Sequence, residues 1–223
     1  EPEPPAPVTE PEKTFEEVLD EHPVSIQVNG QWQTFPNARA AEEAAYGEYK
    51  DNLRRTAENF RITDDHLGEG GPKAKFQANI AAIKLLKYLE ETTEQATPEQ
   101  QKILSRYVGW GGLADAFDPE KPAWAAEYTQ LKELLTPEEY TAARGSTLNA
   151  HYTSPTVIRA IYETVGRMGF ETGNILEPSM GVGNFFGMLP EEMRNSRLYG
   201  VELDPISGRI AKQLYPKADI TVG

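Results

Sequence analysis

Asn174 to Gln213 read NILEPSMGVGNFFGMLPEEMRNSRLYGVELDPISGRIAKQ, a run that passes through strand, glycine turn, helix, strand, acidic tip and helix. Asn174 to Glu177 is a short apolar run closed by Glu-Pro, the pattern of a buried parallel strand. Ser179-Met180-Gly181-Val182-Gly183 is a tight turn in which missing side chains let a ligand approach the backbone. Asn184 to Leu189 opens a helix whose amide end faces that ligand. Leu198 to Leu203 is a second strand, and it delivers Glu202 and Asp204 at its carboxyl edge. Glu202 follows Gly181 by 21 positions, about the spacing at which a nucleotide-binding α/β fold sets an acid on ribose hydroxyls. The stretch predicts a nucleoside site.

The glycine spacing narrows the choice of nucleoside. A dinucleotide fingerprint is G-x-G-x-x-G, with its third glycine packing helix on strand. Here the glycines are Gly181, Gly183 and Gly187, the third one place late. Glu177 and Pro178 precede the turn, and a carboxylate there repels a pyrophosphate but suits a cationic amino-acid group. S-adenosylmethionine has an ammonium at its methionine end, a sulfonium at its centre and no phosphate. The residues favour that cofactor over NAD. A sheet of this kind with no ligand is the plain alternative.

The same stretch resembles motifs I and II of the S-adenosylmethionine-dependent DNA methyltransferases, the adenine-amino class in particular. Residues 149–162 (NAHYTSPTVIRAIY) resemble the motif X that precedes them in this class. With NFRITDDHLGEGG (59–71) and RYVGWGGLADAFD (106–118), the likeness extends over about residues 24–223. Over that span it is to the methyltransferase region of very large methylase–helicase proteins of bacterial mobile elements. The resemblance implies an α/β chain: a mostly helical N-terminal region with a small β-hairpin, then the first half of a Rossmann-like methyltransferase sheet. It divides the chain into a Pro-rich tail (1–13), a helical domain (14–148, hairpin 24–35) and a cofactor-binding half-domain (149–223).

In that family the helix after motif X meets the methionine carboxylate of the cofactor. Ser154-Pro155 suits its N-cap and first residue, and the Thr153 and Ser154 hydroxyls with free amides suit an anion. Its apolar stripe is Val157, Ile158, Ile161, Val165 and Met168. Tyr152 packs along the methionine chain or the purine, or is an ordinary core tyrosine, and His151 reads as a packing residue. Glu177 holds the ammonium and, with Pro178 and Ser179, shapes the turn. The backbone from Met180 to Gly183 surrounds the methionine and ribose, and Asn184 follows it. Phe185 packs beside the cofactor or into the sheet. Glu202 takes the two ribose hydroxyls, Leu203 lies against the adenine, and Asp204 either assists or caps the next helix.

At 223 residues and 24.8 kDa the chain can bury a sizeable core. No apolar run nears the ~20 residues of a membrane span and the start is acidic, so a cytoplasmic location is expected. There are no cysteines, and His22, His66 and His151 lack ligand spacing, which excludes thiolate sites and argues against any metal. The net charge of -13 speaks against a free-standing DNA binder. Residues 1–50 hold 11 acids and 3 bases, whereas residues 151–223 hold 8 acids and 7 bases. With no basic stripe, most phosphate contacts to DNA must come from outside these residues.

Upstream, residues 1–13 carry five prolines and four glutamates, an extended tail. VSIQV-NG-QWQTF (24–35) is a hairpin, with Trp32 and Phe35 covering a small core. A helix over 38–58 carries Tyr46, Tyr49 and Leu53 on one face, and Arg54, Arg55 and Arg61 read as a solvated face rather than a DNA contact. Residues 59–76 read as loop, and GEGG followed by Lys73 and Lys75 is not a phosphate loop of the G-x-x-x-x-G-K form; a clamp over the cofactor or a contact to DNA backbone is its alternative role. Helices follow over 75–91, 97–108, 122–135 and 137–144, Gly145 ending the last. Gly109-Trp110-Gly111-Gly112 is a structural corner or a pocket wall.

In the resembling class the transfer chemistry sits in a later [NDS]-P-P-[YFW] motif, which reads a flipped base. No such tetrapeptide occurs here, so no catalytic residue is assigned and this chain alone is expected to be inactive. A helicase region is expected in the full-length polypeptide. Rival readings are an inert methyltransferase-like scaffold serving a helicase, or methyl transfer to RNA or protein.

Overall fold

The computed structural model describes residues 22–64, 66–148 and 152–223, without the side chains at 50 and 53–55. The Pro-rich tail, Asn149 to His151 and the side chains of Leu53, Arg54 and Arg55 therefore lie outside the described residues. Packing divides the chain between Thr56 and Ala57.

In the first unit β1 (Val24–Val28) pairs antiparallel with β2 (Gln31–Phe35). Asn29 and Gly30 turn between them with φ of 52° and 74°, the positive pair a tight hairpin needs. Val28 is buried, but Trp32 is 72% exposed, so the expected core around Trp32 does not form. β2 has one strand neighbour and no layer over its outer face among the described residues. The helix α1 (Ala38–Thr56) starts at Asn37, whose side chain accepts the Ala40 amide. Tyr46 and Tyr49 stack on its exposed side, centroids 6.3 Å apart.

The second unit opens with an extended strap, residues 57–64. Its Phe60 amide donates to the Leu214 carbonyl at 2.8 Å, its Ile62 amide to Gly187 at 2.9 Å, and the Arg61 guanidinium to the Leu189 carbonyl. Arg61 is thus a structural residue. Helix α2 (Pro72–Glu91) starts three residues earlier than its apolar periodicity suggests, because Pro72 suits the first helical position. Its Phe76, Ile80, Ile83 and Leu86 are buried as their spacing predicts. Thr97 and Gln100 cap α3 (Pro98–Leu104) reciprocally, and it stops short of the expected Val108. There the chain turns a corner in which Gly109 and Gly112 take positive φ. Trp110 is fully buried against Phe76, Tyr107 and Phe117, which makes it core and not a pocket wall. Helices α4 (Ala125–Leu134) and α5 (Pro137–Ser146) follow, the latter capped by Thr136 and Glu139. Gly145 stays helical instead of ending α5.

Strands β3 (Asn174–Glu177), β4 (Arg197–Glu202) and β5 (Asp219–Val222) form a parallel sheet in that order. Helix α6 (Pro155–Arg167) precedes β3, a single turn α7 (Asn184–Gly187) lies between β3 and β4, and α8 (Pro205–Leu214) between β4 and β5. Helix α8 covers one sheet face, with Gly208 so close to Val222 that a Cβ would lie 2.6 Å from it. The other face is uncovered among the described residues, and so β3 is not buried: Leu176 is 62% exposed. The stripe of α6 is corrected for the same reason. Ile158 and Tyr162 pack inward, Tyr162 against Phe185, while Val157, Ile161 and Met168 stay exposed.

No domain boundary falls at 148/149. Helices α2, α3 and α5 pack on α8, and one apolar core runs from Phe76 to Ile220. Arg209 of α8 binds Glu90 of α2 at 2.7 Å and Glu139 of α5 at 2.8 Å. No helix among the described residues is long and apolar enough to cross a membrane.

Candidate functional site

The carboxyl ends of β3 and β4 and the glycine turn after β3 border a cavity of about 550 Å³. The register sets Glu177 opposite Gly200, two residues before Glu202, so both acids reach the same rim. The turn is fastened to the sheet from below. The Met180 amide donates to the Val201 carbonyl at 3.1 Å, and the Met180 thioether fills the space a Gly200 side chain would need. From above, Glu202 accepts the Gly181 amide at 2.6 Å and, through its other oxygen, the Asp204 amide at 2.8 Å. Asp204 caps α8, accepting the Ser207 amide at 3.0 Å. Tyr152 lies over Gly181, where a Cβ would come within 2.8 Å of its ring, and its hydroxyl pairs with Ser207 at 3.2 Å.

The remaining wall comes from the helical segments: Gly109 and, on α5, Ala142, Gly145 and Ser146. Asn79 fixes Gly109 by donating to its carbonyl at 2.6 Å and accepting the Val108 amide at 2.9 Å. Buried Glu139 fixes α5 through Lys87 and Arg209, each at 2.8 Å.

Three carboxylates line the cavity, from Glu177, Glu202 and Asp204, with no Lys, Arg or His among the described lining residues. Burial, and then the charge of Glu202, pushes the Glu177 carboxyl up to about 8. Its Oε2 is buried with no hydrogen-bond partner, an arrangement that a cation offsets. Asp204 Oδ1 and, on the corner behind, Tyr107 Oη and Trp110 Nε1 are likewise buried and unpartnered. Burial, followed by the charge of Asp204, raises the Tyr107 phenol well above its ordinary value. Burial also raises Tyr152, so its hydroxyl stays neutral. Phe185, Leu203 and Met180 add apolar surface. The donor set suits a cationic ligand with an apolar body and opposes a phosphate.

Of the residues the sequence singles out, Tyr152, Thr153, Glu177, Ser179, Met180, Gly181, Asn184, Phe185, Glu202, Leu203 and Asp204 line the cavity. Pro178 borders a neighbouring apolar groove of about 520 Å³, and Ser154 caps α6 by position without a side-chain bond. Gly183 faces the core, where a Cβ would lie 2.5 Å from the Tyr215 ring. Gly187 admits the strap, a Cβ there falling 2.6 Å from Ile62. Sequence reasoning missed Ser207, three residues after its capping acid, and the small-residue face of α5. Spacing of Ala142, Gly145 and Ser146 at i, i+3 and i+4 was the available signal.

No protein-family model matches the chain, and no solved structure does. Over 155 residues, 70% of this chain, it is 25% identical to Defense against restriction protein B of Escherichia phage P1, of which the match covers 5%. Over 52 residues, 23% of this chain, it is 42% identical to Type II methyltransferase M.CvrRI of Paramecium bursaria Chlorella virus XZ-6E, of which the match covers 13%. The chain thus spans a small part of the length of these relatives. The shorter match relates part of it to a methyltransferase.

Proposed function

We propose that this chain is the cofactor-binding part of an S-adenosylmethionine-dependent DNA methyltransferase of the adenine-amino class. The observation that carries the reading is the cavity at the glycine turn, with three carboxylates, no described basic residue and an unpartnered buried oxygen on Glu177. Such a site attracts a nucleoside cation and repels NAD or ATP. Glu177 holds the ammonium. Thr153 and the amide end of α6 take the carboxylate. Glu202 spends two lone pairs on Gly181 and Asp204, and about two remain for the ribose hydroxyls. When bound, the cofactor supplies an electrophilic methyl group on its sulfonium; the chain's own residues orient it.

The three parallel strands are read as the first half of a Rossmann-like sheet. The exposed Leu176 and Val201 on the uncovered face support this, because a parallel sheet is normally covered on both sides. No [NDS]-P-P-[YFW] motif is present, so the transfer step needs residues beyond these, and binding by this chain is expected to be weak. A DNA acceptor, ahead of RNA or protein, is supported by relatives named for methyl transfer and for defence against restriction. With a net charge of -13, most contacts to DNA phosphate come from other regions. The same reading includes a helicase region in the same polypeptide and a cytoplasmic location, both taken from the resemblance alone.

Saturation-transfer NMR with millimolar S-adenosylmethionine, S-adenosylhomocysteine, NAD and ATP tests the reading. The first two should give signals that Glu177→Gln weakens, and the last two none. Equal signals from NAD would overturn it, and silence from all four would favour an inert scaffold.

A further inference from the structure

We propose that α5, from the helical part of the chain, is the wall against which the purine of the bound nucleoside lies, and that its small side chains set the room for that ring. The inference builds on the cofactor reading above. Glu202, which takes the ribose, is followed directly by Leu203, and a purine attached to that sugar falls on the Leu203 side of the cavity. Leu203 is 82% exposed, an apolar surface with nothing packed over it. Ala142, Gly145 and Ser146 line the same cavity.

Three facts make α5 a steric wall. Its Ser146 hydroxyl donates to the Ala143 carbonyl at 2.9 Å, so α5 offers the cavity no free side-chain donor and no charge. Gly145 is helical, its φ is not in the left-handed region, and a Cβ there would meet nothing within 4 Å. Gly145 is the next-to-last residue of α5, and no packed neighbour requires a glycine there. Its missing side chain leaves that space to the cavity. Meanwhile the helix cannot retreat: Ala143 is fully buried, and Glu139 ties α5 to α2 and α8. A flat, uncharged ring held between such a wall and Leu203 is the occupant these surfaces fit.

The test titrates S-adenosylhomocysteine into the wild-type chain, Gly145→Leu and the milder Gly145→Ala, with thermal unfolding of each. Gly145→Leu should weaken binding at least about tenfold while leaving Tm unchanged or raised, since leucine is the better helix former. Gly145→Ala, whose Cβ takes part of the same space, should weaken binding by a smaller factor. A nuclear Overhauser effect should connect the Ala142 methyl to the purine protons of the bound ligand. Wild-type affinity in Gly145→Leu, or Overhauser effects from Ala142 to the homocysteine chain instead, would overturn the wall and leave the cofactor reading standing. No binding to the wild type would overturn both.

Discussion

The Glu202 carboxylate at the end of β4 accepts the Gly181 amide of the turn after β3 at 2.6 Å, tying two loops 21 residues apart in sequence. Its other oxygen holds the Asp204 amide at 2.8 Å. One side chain shapes both edges of the cavity before any ligand arrives. Glu202→Ala frees two amides and should destabilise the protein by about 2 kcal/mol. Tm should fall by roughly 4–8 °C for a chain of this size, read by thermal unfolding. Glu202→Gln keeps one acceptor oxygen and should lose about half as much. An unchanged Tm in Glu202→Ala would mean the glycines alone set the turn.

Glu177 makes stability depend on pH. Its carboxyl is raised to about 8 in the folded chain, by burial and then by Glu202, against an ordinary value of 4.5. The folded state therefore holds a proton the unfolded state releases. That contribution is complete below the ordinary value and is lost as pH rises through about 8. Glu177→Gln should remove a loss on the order of a few kcal/mol between those limits, visible as a flatter stability profile in urea melts at pH 5 and 8.5. A cationic ligand favours the charged form, so its affinity should rise over the same window and its binding should release a proton.

Gly187 and Ile62 meet so closely that a Cβ on the former would sit 2.6 Å from the latter. Gly187→Ala should cost about 1–3 kcal/mol through overpacking. Ile62→Ala in the same chain should recover part of the loss, since it opens the space. A double-mutant cycle by chemical denaturation measures the coupling. Additive losses would mean that the strap rearranges freely.

Arg209 neutralises Glu139, whose side chain is only 7% exposed. Burial raises the Glu139 carboxyl, but hydrogen bonds from Lys87, Thr136 and Arg209 outweigh it and hold the group below its ordinary value. Its contribution is thus present above that ordinary value and fades as pH falls. Arg209→Ala should cost about 2–3 kcal/mol at neutral pH, with Lys87 still in place. The gap to wild type should narrow in acid, as denaturation at pH 7 and pH 3.5 would reveal.

Local chemistry was legible in the sequence where one short segment decides its own geometry. Asn29-Gly30 made its hairpin, Thr97 with Gln100 and Thr136 with Glu139 made their capping boxes, and Glu202 and Asp204 came to one rim. The failures concern what covers a surface. Periodicity identified an apolar stripe on α6, but which of its sides turned inward depended on the surface opposite, where Tyr162 meets Phe185 of a distant turn and Val157 stays exposed. Gly183 looked like a ligand-approach position and instead admits Tyr215, while Gly187 admits Ile62. The boundary at 148/149 failed because α8 serves as packing partner to helices on both sides of it.

Met180 plugs the space above Gly200, so the turn and β4 cannot change shape separately. Most replacements on that floor would disturb the sheet as well as the pocket, and descendants carrying them would be lost. Helix α5 borders the same pocket through positions whose side chains the core does not count on. Divergence among homologues in what the pocket admits should therefore concentrate at Ala142 and Gly145, leaving the acidic rim as the slow-changing part of the molecule.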